Sequence, residues 1–521
     1  MKIFVSILLF ALPSAAISEQ AVMLNAPVPC QEVISRAPQL TGEQAVKLNV
    51  PAAGKESPDV TLQLTGEQTV PLKGGQHVLI KGSAPGAAGE YIQLYTLPDP
   101  LTGRKKLIES IALDTTEMFF LRMDCDSLCW IILRLGVYEY QLLVESGESY
   151  QLELPGYKGM TWAEKLDPFF EHKTVHLHLG EAYNPNNAIR TVDSLYYEYL
   201  NLVTGSIYLG GELPDSDSLL RAFSRIKESL EGEYEKRYFS CRYSLLSMIS
   251  VRDISPGPDV LNLINSGYSP SMPAYTDLVK QVFNGWLIRL ANNDNTGEIR
   301  RIINSGNAYH SVVKLIIDQG SIRDTSLMEF VLLDNLYSVY YKGGFRKDAV
   351  EYLIEDMSSE AINKYNRDLA ARALWQIRKL KPGNRPPPFS LPGRDGKVYT
   401  ADSLRGKYSI LVFGSADLTE TAFELDILNR WVNDFKDRLA VVVILMDDNF
   451  ELSLRKGDFG KYDFIFLDGS ASDELLDNYE IRYLPSFYFL DREAKLLLSP
   501  SVMPSENLRE LIISRYLRGL H

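Results

Sequence analysis

Hydrophobic and polar positions alternate in short runs between residues 77 and 155, with the period of a half-buried β-strand. Glycine, proline, aspartate and serine separate these runs at intervals typical of an all-β sandwich. The runs that predict strands are residues 77–80, 91–95, 130–133, 140–144 and 150–154. We therefore predict an antiparallel, β-sandwich-like domain over residues 76–156.

Apolar residues recur at three- and four-residue steps from about residue 189 to residue 380, which is the period of amphipathic helices. One such face comprises Ala361, Tyr365, Leu369, Ala373 and Ile377. Loops that contain glycine, asparagine or proline separate the helices. Aromatic residues at this spacing are typical of a helix core rather than a cofactor site, so we predict a helical domain over residues 157–384.

A proline-rich segment, residues 381–388, interrupts the helical pattern. Proline lacks a backbone N–H group and disfavours helical geometry in the residue before it, so no helix continues through this segment. Beyond it we predict strands at 408–413, 439–446, 464–467, 486–490 and 495–498, and helices at 418–435 and 505–517. A β-α-β half followed by a β-hairpin and a helix is the element order of the thioredoxin fold. The predicted fold class is multi-domain α+β, with an N-terminal antiparallel β domain, a helical middle domain and a C-terminal α/β thioredoxin-like domain over residues 385–521.

The first 18 residues have the features of a secretory signal peptide. Lys2 precedes an apolar run of about ten residues, and small residues follow at positions 14–16. A run of this length is too short to span a bilayer. No later run reaches 18 apolar residues, so we expect no transmembrane segment in the mature chain. We predict an exported, periplasmic protein with a signal peptide at 1–18.

A short repeat follows the predicted signal peptide. The motif Glu-Gln-Ala-Val-x-Leu-Asn begins at Glu19 and at Glu43, and a related copy begins at Glu67, so the copies are 24 residues apart. Similarity at a fixed period can indicate stacked structural units, but these copies are short and contain prolines. We interpret residues 19–75 as an extended arm or linker.

The composition excludes several classes of protein. Apolar residues make up 45% of the chain and charged residues 23%, which is typical of a soluble globular protein rather than a disordered or fibrous one. The formal net charge is −13, and the sequence contains no block of five Lys or Arg residues. Nucleic-acid binding depends on a basic patch that neutralises phosphates, so we expect no nucleic-acid partner.

Three stretches near the C-terminus carry a family resemblance: residues 388–397, residues 403–407, and residues 479–491, which read Tyr-Glu-Ile-Arg-Tyr-Leu-Pro-Ser-Phe-Tyr-Phe-Leu-Asp. They resemble the opening strand, the lead into the first central strand and the cis-proline segment of the TlpA/ResA-like thiol–disulfide oxidoreductases of bacterial envelopes. The resemblance covers about a quarter of the chain. It implies a groove at Leu484 and Pro485, where main-chain groups pair with an extended peptide.

The sequence departs from this family at the two catalytic cysteines. When Phe413 and Glu424 are aligned with the family pattern, Leu418 and Thr421 occupy the cysteine positions. Disulfide exchange needs a thiolate nucleophile and a second thiol, so we predict a redox-inactive domain with no catalytic residue. Residues 417–420 read as an N-cap aspartate followed by an acid at the third helical position, which is a capping box.

Cys125 and Cys129 are close enough in sequence for a local disulfide, and two buried thiols are the alternative. This pair supports a second hypothesis, a divergent thiol–disulfide oxidoreductase that uses cysteines outside the thioredoxin-like domain. The pair lacks the helix N-terminus that lowers the pKa of a reactive thiol. We therefore favour a binding or scaffolding module whose partner is an envelope protein or peptide; a structural envelope protein is the third hypothesis.

Two further constellations could suggest a metal site. His172, His176 and His178 lie close together in sequence, but no acidic third ligand has a suitable spacing, so we interpret them as a polar strand face. Residues 447–449 read Asp-Asp-Asn, and we interpret them as a solvated loop rather than a cation site. We predict no metal and no cofactor.

Overall fold

The computed structural model describes residues 77–161, 164, 170–175, 177, 179, 184–208, 221, 223–250, 256–306, 309–317, 322–435, 437–447, 449–470 and 473–517. The predicted signal peptide, the repeat arm, His176, His178 and Asp448 lie outside these residues. The chain divides into two compact units: Met1–Met160 with Glu171–Ala373, and Thr161–Phe170 with Leu374–His521.

Two β-sheets of the first unit pack face to face. Their strands are β1 (His77–Ser83), β2 (Tyr91–Thr96), β3 (Leu107–Ala112), β4 (Met118–Asp124), β5 (Leu128–Leu135), β6 (Tyr138–Glu145), β7 (Ser149–Glu153) and β8 (Lys173–Val175). The sheet orders are β4-β1-β7 and β3-β2-β5-β6-β8. Alternate residues of both sheets, such as Ile80 and Leu133, share one apolar core, because successive side chains of a strand point to opposite faces.

The prediction of a purely antiparallel domain is wrong for two strand pairs. β1 pairs in parallel with β7, and β6 pairs in parallel with β8, whereas the other pairs are antiparallel. Apolar alternation indicates which face of a strand is buried, but it does not indicate which strand lies beside it. The prediction also omitted β3, β4 and β8.

The remainder of the first unit is helical. Its helices are α1 (Pro185–Tyr208), α2 (Glu233–Ser250), α3 (Pro258–Asn265), α4 (Pro273–Val282), α5 (Trp286–Asn293), α6 (Glu298–Ser305), α7 (Tyr309–Ile317), α8 (Thr325–Lys342), α9 (Lys347–Glu360) and α10 (Lys364–Arg378), with the unit boundary inside α10. Ala361, Leu369 and Ala373 have no exposed surface, as a core face requires. Among the described residues, no helix has both the length and the hydropathy to cross a membrane.

The second unit is built on a central five-stranded sheet. Its elements are β9 (Ser390–Pro392), β10 (Val398–Thr400), β11 (Tyr408–Gly414), α11 (Thr419–Val432), β12 (Leu439–Leu445), α12 (Phe450–Lys456), β13 (Ile465–Asp468), α13 (Asp473–Asn478), β14 (Ser486–Leu490), β15 (Leu496–Ser501) and α14 (Leu508–Ile512). The sheet order is β13-β12-β11-β14-β15, and β14 runs antiparallel to β11 while β12 runs parallel to it.

Both faces of this sheet are covered. Ile410 and Val412 of β11 pack in the core that contains α11 and α14, whereas Leu411 and Phe413 pack in the core that contains α13. Strands buried on both faces form nearly continuous apolar runs, which is why β11 and β12 were predictable. A parallel β-α-β half joined to an antiparallel hairpin, with helices on both faces, is a thioredoxin-like fold.

Candidate functional site

The candidate site lies at the end of β11, where two loops come together. Phe413 of β11 is opposite Ser486 of β14 in the antiparallel register. The loop after β11, residues 415–418, therefore lies beside the segment that precedes β14, residues 483–485. Ligand sites of open α/β sheets commonly occur at the carboxyl ends of such strands.

The predicted capping box at residues 417–420 is wrong. Helix α11 begins at Thr419, its N-cap residue is Leu418, and no side chain caps it. The carboxylate of Asp417 accepts a hydrogen bond from Nζ of Lys456 on α12 at 2.5 Å instead. Glu420 is exposed in the first helical turn. Asp417 was a plausible cap by sequence, but its partner is 39 residues away in the chain.

Asp447 anchors the loop after β11. This residue follows β12, is 5% exposed, and accepts hydrogen bonds from Oγ of Ser415 at 2.5 Å and from the N–H group of Ala416 at 2.9 Å. Oγ of Ser415 in turn accepts from the N–H group of Asp417 at 3.1 Å. The interpretation of Asp447 as part of a solvated loop is therefore wrong, because Asp447 is buried and its carboxylate is hydrogen-bonded to Ser415 and Ala416.

Thr421, which the sequence comparison with the family pattern predicts at one cysteine position, has no exposed surface. Its Oγ1 accepts a hydrogen bond from the N–H group of Ser415 at 3.2 Å. Its methyl carbon Cγ2 would lie 2.6 Å from a Cβ atom added to Gly414, so the two residues pack in direct contact. Thr421 is thus a buried structural residue that holds the loop, and it does not face a ligand.

Glu424 connects α11 to the segment before α14. Glu424 is buried, with 4% of its surface exposed. Oε2 accepts a hydrogen bond from the N–H group of Ser505 at 2.9 Å, and Oε1 accepts from the Ser505 hydroxyl at 2.5 Å. Glu424 therefore has a defined structural role in this chain.

The segment before β14 contains the cis peptide bond Leu484–Pro485. The side chain of Leu484 is 9% exposed and belongs to a core cluster against which the half-buried Leu418 also packs. Tyr483 is 48% exposed. None of the main-chain hydrogen bonds found among the described residues involves Leu484. At this place a partner would meet the Tyr483 side chain and the Leu484 main chain, whereas the Leu484 side chain faces the core.

The cysteines of the described residues lie outside the second unit. A disulfide joins Cys125 and Cys129, whose Cα atoms are 6.2 Å apart, across the turn between β4 and β5. Cys125 is 3% exposed and packs in the core of the β-sandwich. Cys241 is a free, buried thiol on α2, and burial raises its pKa to about 12. A thiol with so high a pKa contains almost no thiolate at neutral pH, so Cys241 is a poor nucleophile.

Of the three histidine candidates, only His172 is among the described residues. In that part of the chain, no cluster of three or more His, Cys, Asp or Glu side chains could hold a metal ion. His172 is partly buried rather than on a solvated strand face. Burial, together with the nearby Arg134 and Lys105 cations, lowers its pKa to about 4. The imidazole is therefore neutral at physiological pH.

The sequence analysis assigned no role in this site to Asp447, which it interpreted as part of a solvated loop, or to Tyr483. Asp447 could have been found because it directly follows a strand predicted to be parallel to β11, whose end it would therefore reach. Tyr483 precedes the predicted groove by one residue, and its exposure follows from the turn of the chain at Pro485. The spacing of apolar residues along the chain indicates neither the position of Asp447 nor the exposure of Tyr483.

Three solved structures are similar to part of this chain. The thioredoxin domain of a thiol–disulfide oxidoreductase from Bacteroides vulgatus is 18% identical with a TM-score of 0.24, and the match covers 25% of this chain and 96% of that one. A thioredoxin-like protein from Bacteroides caccae is 13% identical with a TM-score of 0.25, over 45% of this chain and 94% of that one. The exposed lipoprotein thioredoxin Etrx1 of Streptococcus pneumoniae is 22% identical with a TM-score of 0.21, over 25% and 99%. No family model and no curated protein matches the sequence.

Proposed function

We propose that this chain is an exported, redox-inactive thioredoxin-like protein that acts as a binding or scaffolding module in the cell envelope. In this proposal its TlpA/ResA-like unit has lost disulfide exchange and has kept the groove at Leu484 and Pro485 for an extended segment of an envelope protein. The observation that carries the proposal is that Thr421, at a predicted cysteine position, is buried and hydrogen-bonded to Ser415, in a unit that also exposes Tyr483 before the cis-proline bond.

The contacts of the loop after β11 support redox inactivity. The chain has no cysteine after Cys241. Thr421 has its hydroxyl committed to Ser415, and Glu424 has both carboxylate oxygens committed to Ser505. A leucine and a threonine cannot supply the thiolate and the resolving thiol that disulfide exchange requires.

The segment before β14 supports retained binding. Pairing with an extended peptide uses main-chain N–H and C=O groups and does not need a thiol. The main chain of Leu484 makes none of the hydrogen bonds found among the described residues, and the neighbouring Tyr483 ring is half exposed. Tyrosine is enriched at binding surfaces because it combines an apolar ring with a polar tip.

The alternative, an oxidoreductase that uses Cys125 and Cys129, has weaker support. This disulfide joins the segment after β4 to Cys129 in β5, so no helix N-terminus is present to stabilise a thiolate. Cys125 is also 3% exposed, which restricts access by a second disulfide.

The proposed surface can be tested by photocrosslinking in intact cells. A photoreactive benzoylphenylalanine would replace Tyr483 in one variant and Val398 in a matched control, because Val398 is an exposed apolar residue on β10 of the same unit. We expect a discrete adduct with an envelope protein from position 483 and none from position 398. Absence of an adduct at 483, or the same adduct from both positions, would reject this surface. A substitution of Leu484 is a poorer test because its side chain is 9% exposed.

A further inference from the structure

The last turn of α10 contacts the segment that leads into the cis-proline bond. Lys379 follows α10, and its side chain is 3% exposed. Its Nζ donates to Oε1 of Glu480 at 3.1 Å and to the main-chain oxygen of Asp477 at 3.1 Å. Nε2 of Gln376 also donates to Oε1 of Glu480, at 3.0 Å. All four residues belong to the second unit.

Glu480 lies at the C-terminal cap of α13. The N–H group of Ile481 donates to the carbonyl of Leu476 at 2.8 Å, and the N–H group of Glu480 donates to that of Asp477 at 3.3 Å. These two bonds form a Schellman motif in which Glu480 is the left-handed residue, with φ of 52°. Glycine is the usual residue at this position, because a side chain in the left-handed region has a steric cost. The presence of glutamate requires a compensating interaction.

That interaction is available from α10. The Lys379 ammonium lies at the carbonyl end of α13, where the helix dipole favours a cation, and the Glu480 carboxylate balances its charge. Glu480 precedes the Leu484–Pro485 cis bond by only a few residues. Fixing the backbone at Glu480 therefore fixes the direction in which the chain enters the cis-proline segment.

We propose that Gln376 and Lys379, the α10 clamp, are positioning residues for the cis-proline segment. They hold Glu480 in its left-handed conformation and so determine how residues 481–485 are presented at the end of β11. In this role the last turn of α10 belongs to the second unit, although the sequence predicts that this unit begins only at residue 385. The proposal concerns the conformation of the segment and does not depend on which partner binds there.

Amide hydrogen exchange of the full mature chain tests the clamp. The variants are Lys379→Met, which keeps the apolar stem and removes the donor, and Glu480→Gly, which removes the acceptor and the steric cost together. Glu480→Gln keeps an oxygen acceptor but removes the charge that balances the Lys379 ammonium, so its exchange should be faster than in the parent and slower than in Lys379→Met. The matched control is Lys397→Met, because Lys397 pairs with Asp395 on the surface of the same unit.

We expect the amides of Glu480 and Ile481 to exchange about tenfold faster in Lys379→Met and Glu480→Gly, equivalent to about 1.4 kcal/mol, while the β11 amides and the control remain unchanged. If glutamate were only an unfavourable cap residue, Glu480→Gly would relieve strain and slow exchange, and that result would overturn the proposal. Unchanged exchange in both variants would overturn it as well. Equal acceleration in β11 would also overturn it, because the residues would then stabilise the whole unit rather than position one segment.

Discussion

Replacement of Glu424 by alanine should destabilise the second unit, because the Glu424 side chain links α11 to the segment before α14. Its two carboxylate oxygens accept hydrogen bonds from the N–H and hydroxyl groups of Ser505. A hydrogen bond to a charged group contributes about 1.5–3 kcal/mol to stability. Ser505 is exposed, so water can replace part of what is lost, and we expect a total cost of about 2 kcal/mol rather than the sum of both bonds.

The assay is urea unfolding followed by tryptophan fluorescence, since Trp431 is buried on the same helix as Glu424. Glu424→Gln keeps one amide oxygen for the Ser505 N–H group and should lose about half as much stability as Glu424→Ala. A double-mutant cycle with Ser505→Ala should give a coupling of about 1 kcal/mol. A change below about 0.5 kcal/mol in Glu424→Ala, or increased stability, would refute this reasoning, because residues retained for chemistry often reduce stability.

Two other expectations follow from the same contacts. Because burial and nearby cations lower the pKa of His172 to about 4, its folded form resists the protonation that the unfolded chain undergoes near pH 6.5. Its contribution to stability should be complete above about pH 7 and decline as the pH falls from about 6.5 to about 4, by at most about 3 kcal/mol. His172→Gln should remove this decline in pH-dependent denaturation, and identical profiles for both proteins would show that His172 is not the group responsible. Gly414→Ala should lower the free energy of unfolding by about 1–3 kcal/mol, because the added Cβ would lie 2.6 Å from Cγ2 of Thr421. Thr421→Ser removes that methyl group, so the double variant should recover most of the lost stability. Absence of this recovery would show that the strain arises from another contact.

The central strands β11 and β12 could be predicted because they are nearly continuous apolar runs, whereas the short β9 and β10 were not predicted. β12 is an unbroken apolar run, Leu439–Leu445, and six of its seven residues are buried. The start of α11 was predicted within one residue, but its cap was not, since Asp417 is a good N-cap in isolation and only the fold brings Lys456 to it. The same limit applies to the parallel pairing of β1 with β7, which depends on where the chain returns and not on the residues of either strand.

The position of the candidate site stays a prediction from the family resemblance, which selects Leu418, Thr421, Glu424 and Pro485 by motif spacing. The structure shows the surroundings of these residues, and the sequence predicted those only in part. The resemblance did not indicate that Thr421 is fully buried or that Asp447 would accept hydrogen bonds from the loop after β11. Both facts depend on the packing between β11 and β12. Tertiary contacts of this kind have no signature in a single sequence.

The measurement that tests the central claim most directly is insulin disulfide reduction by the full chain in a dithiol-coupled assay. Leu418 and Thr421 stand at the positions predicted for the catalytic cysteines, and the free Cys241 is buried with a raised pKa. We therefore expect no turnover above a no-protein blank, under conditions in which an ordinary thioredoxin is active. Turnover above the blank would contradict redox inactivity, and its loss in a Cys125→Ser/Cys129→Ser variant would assign the activity to the β-sandwich cysteines instead.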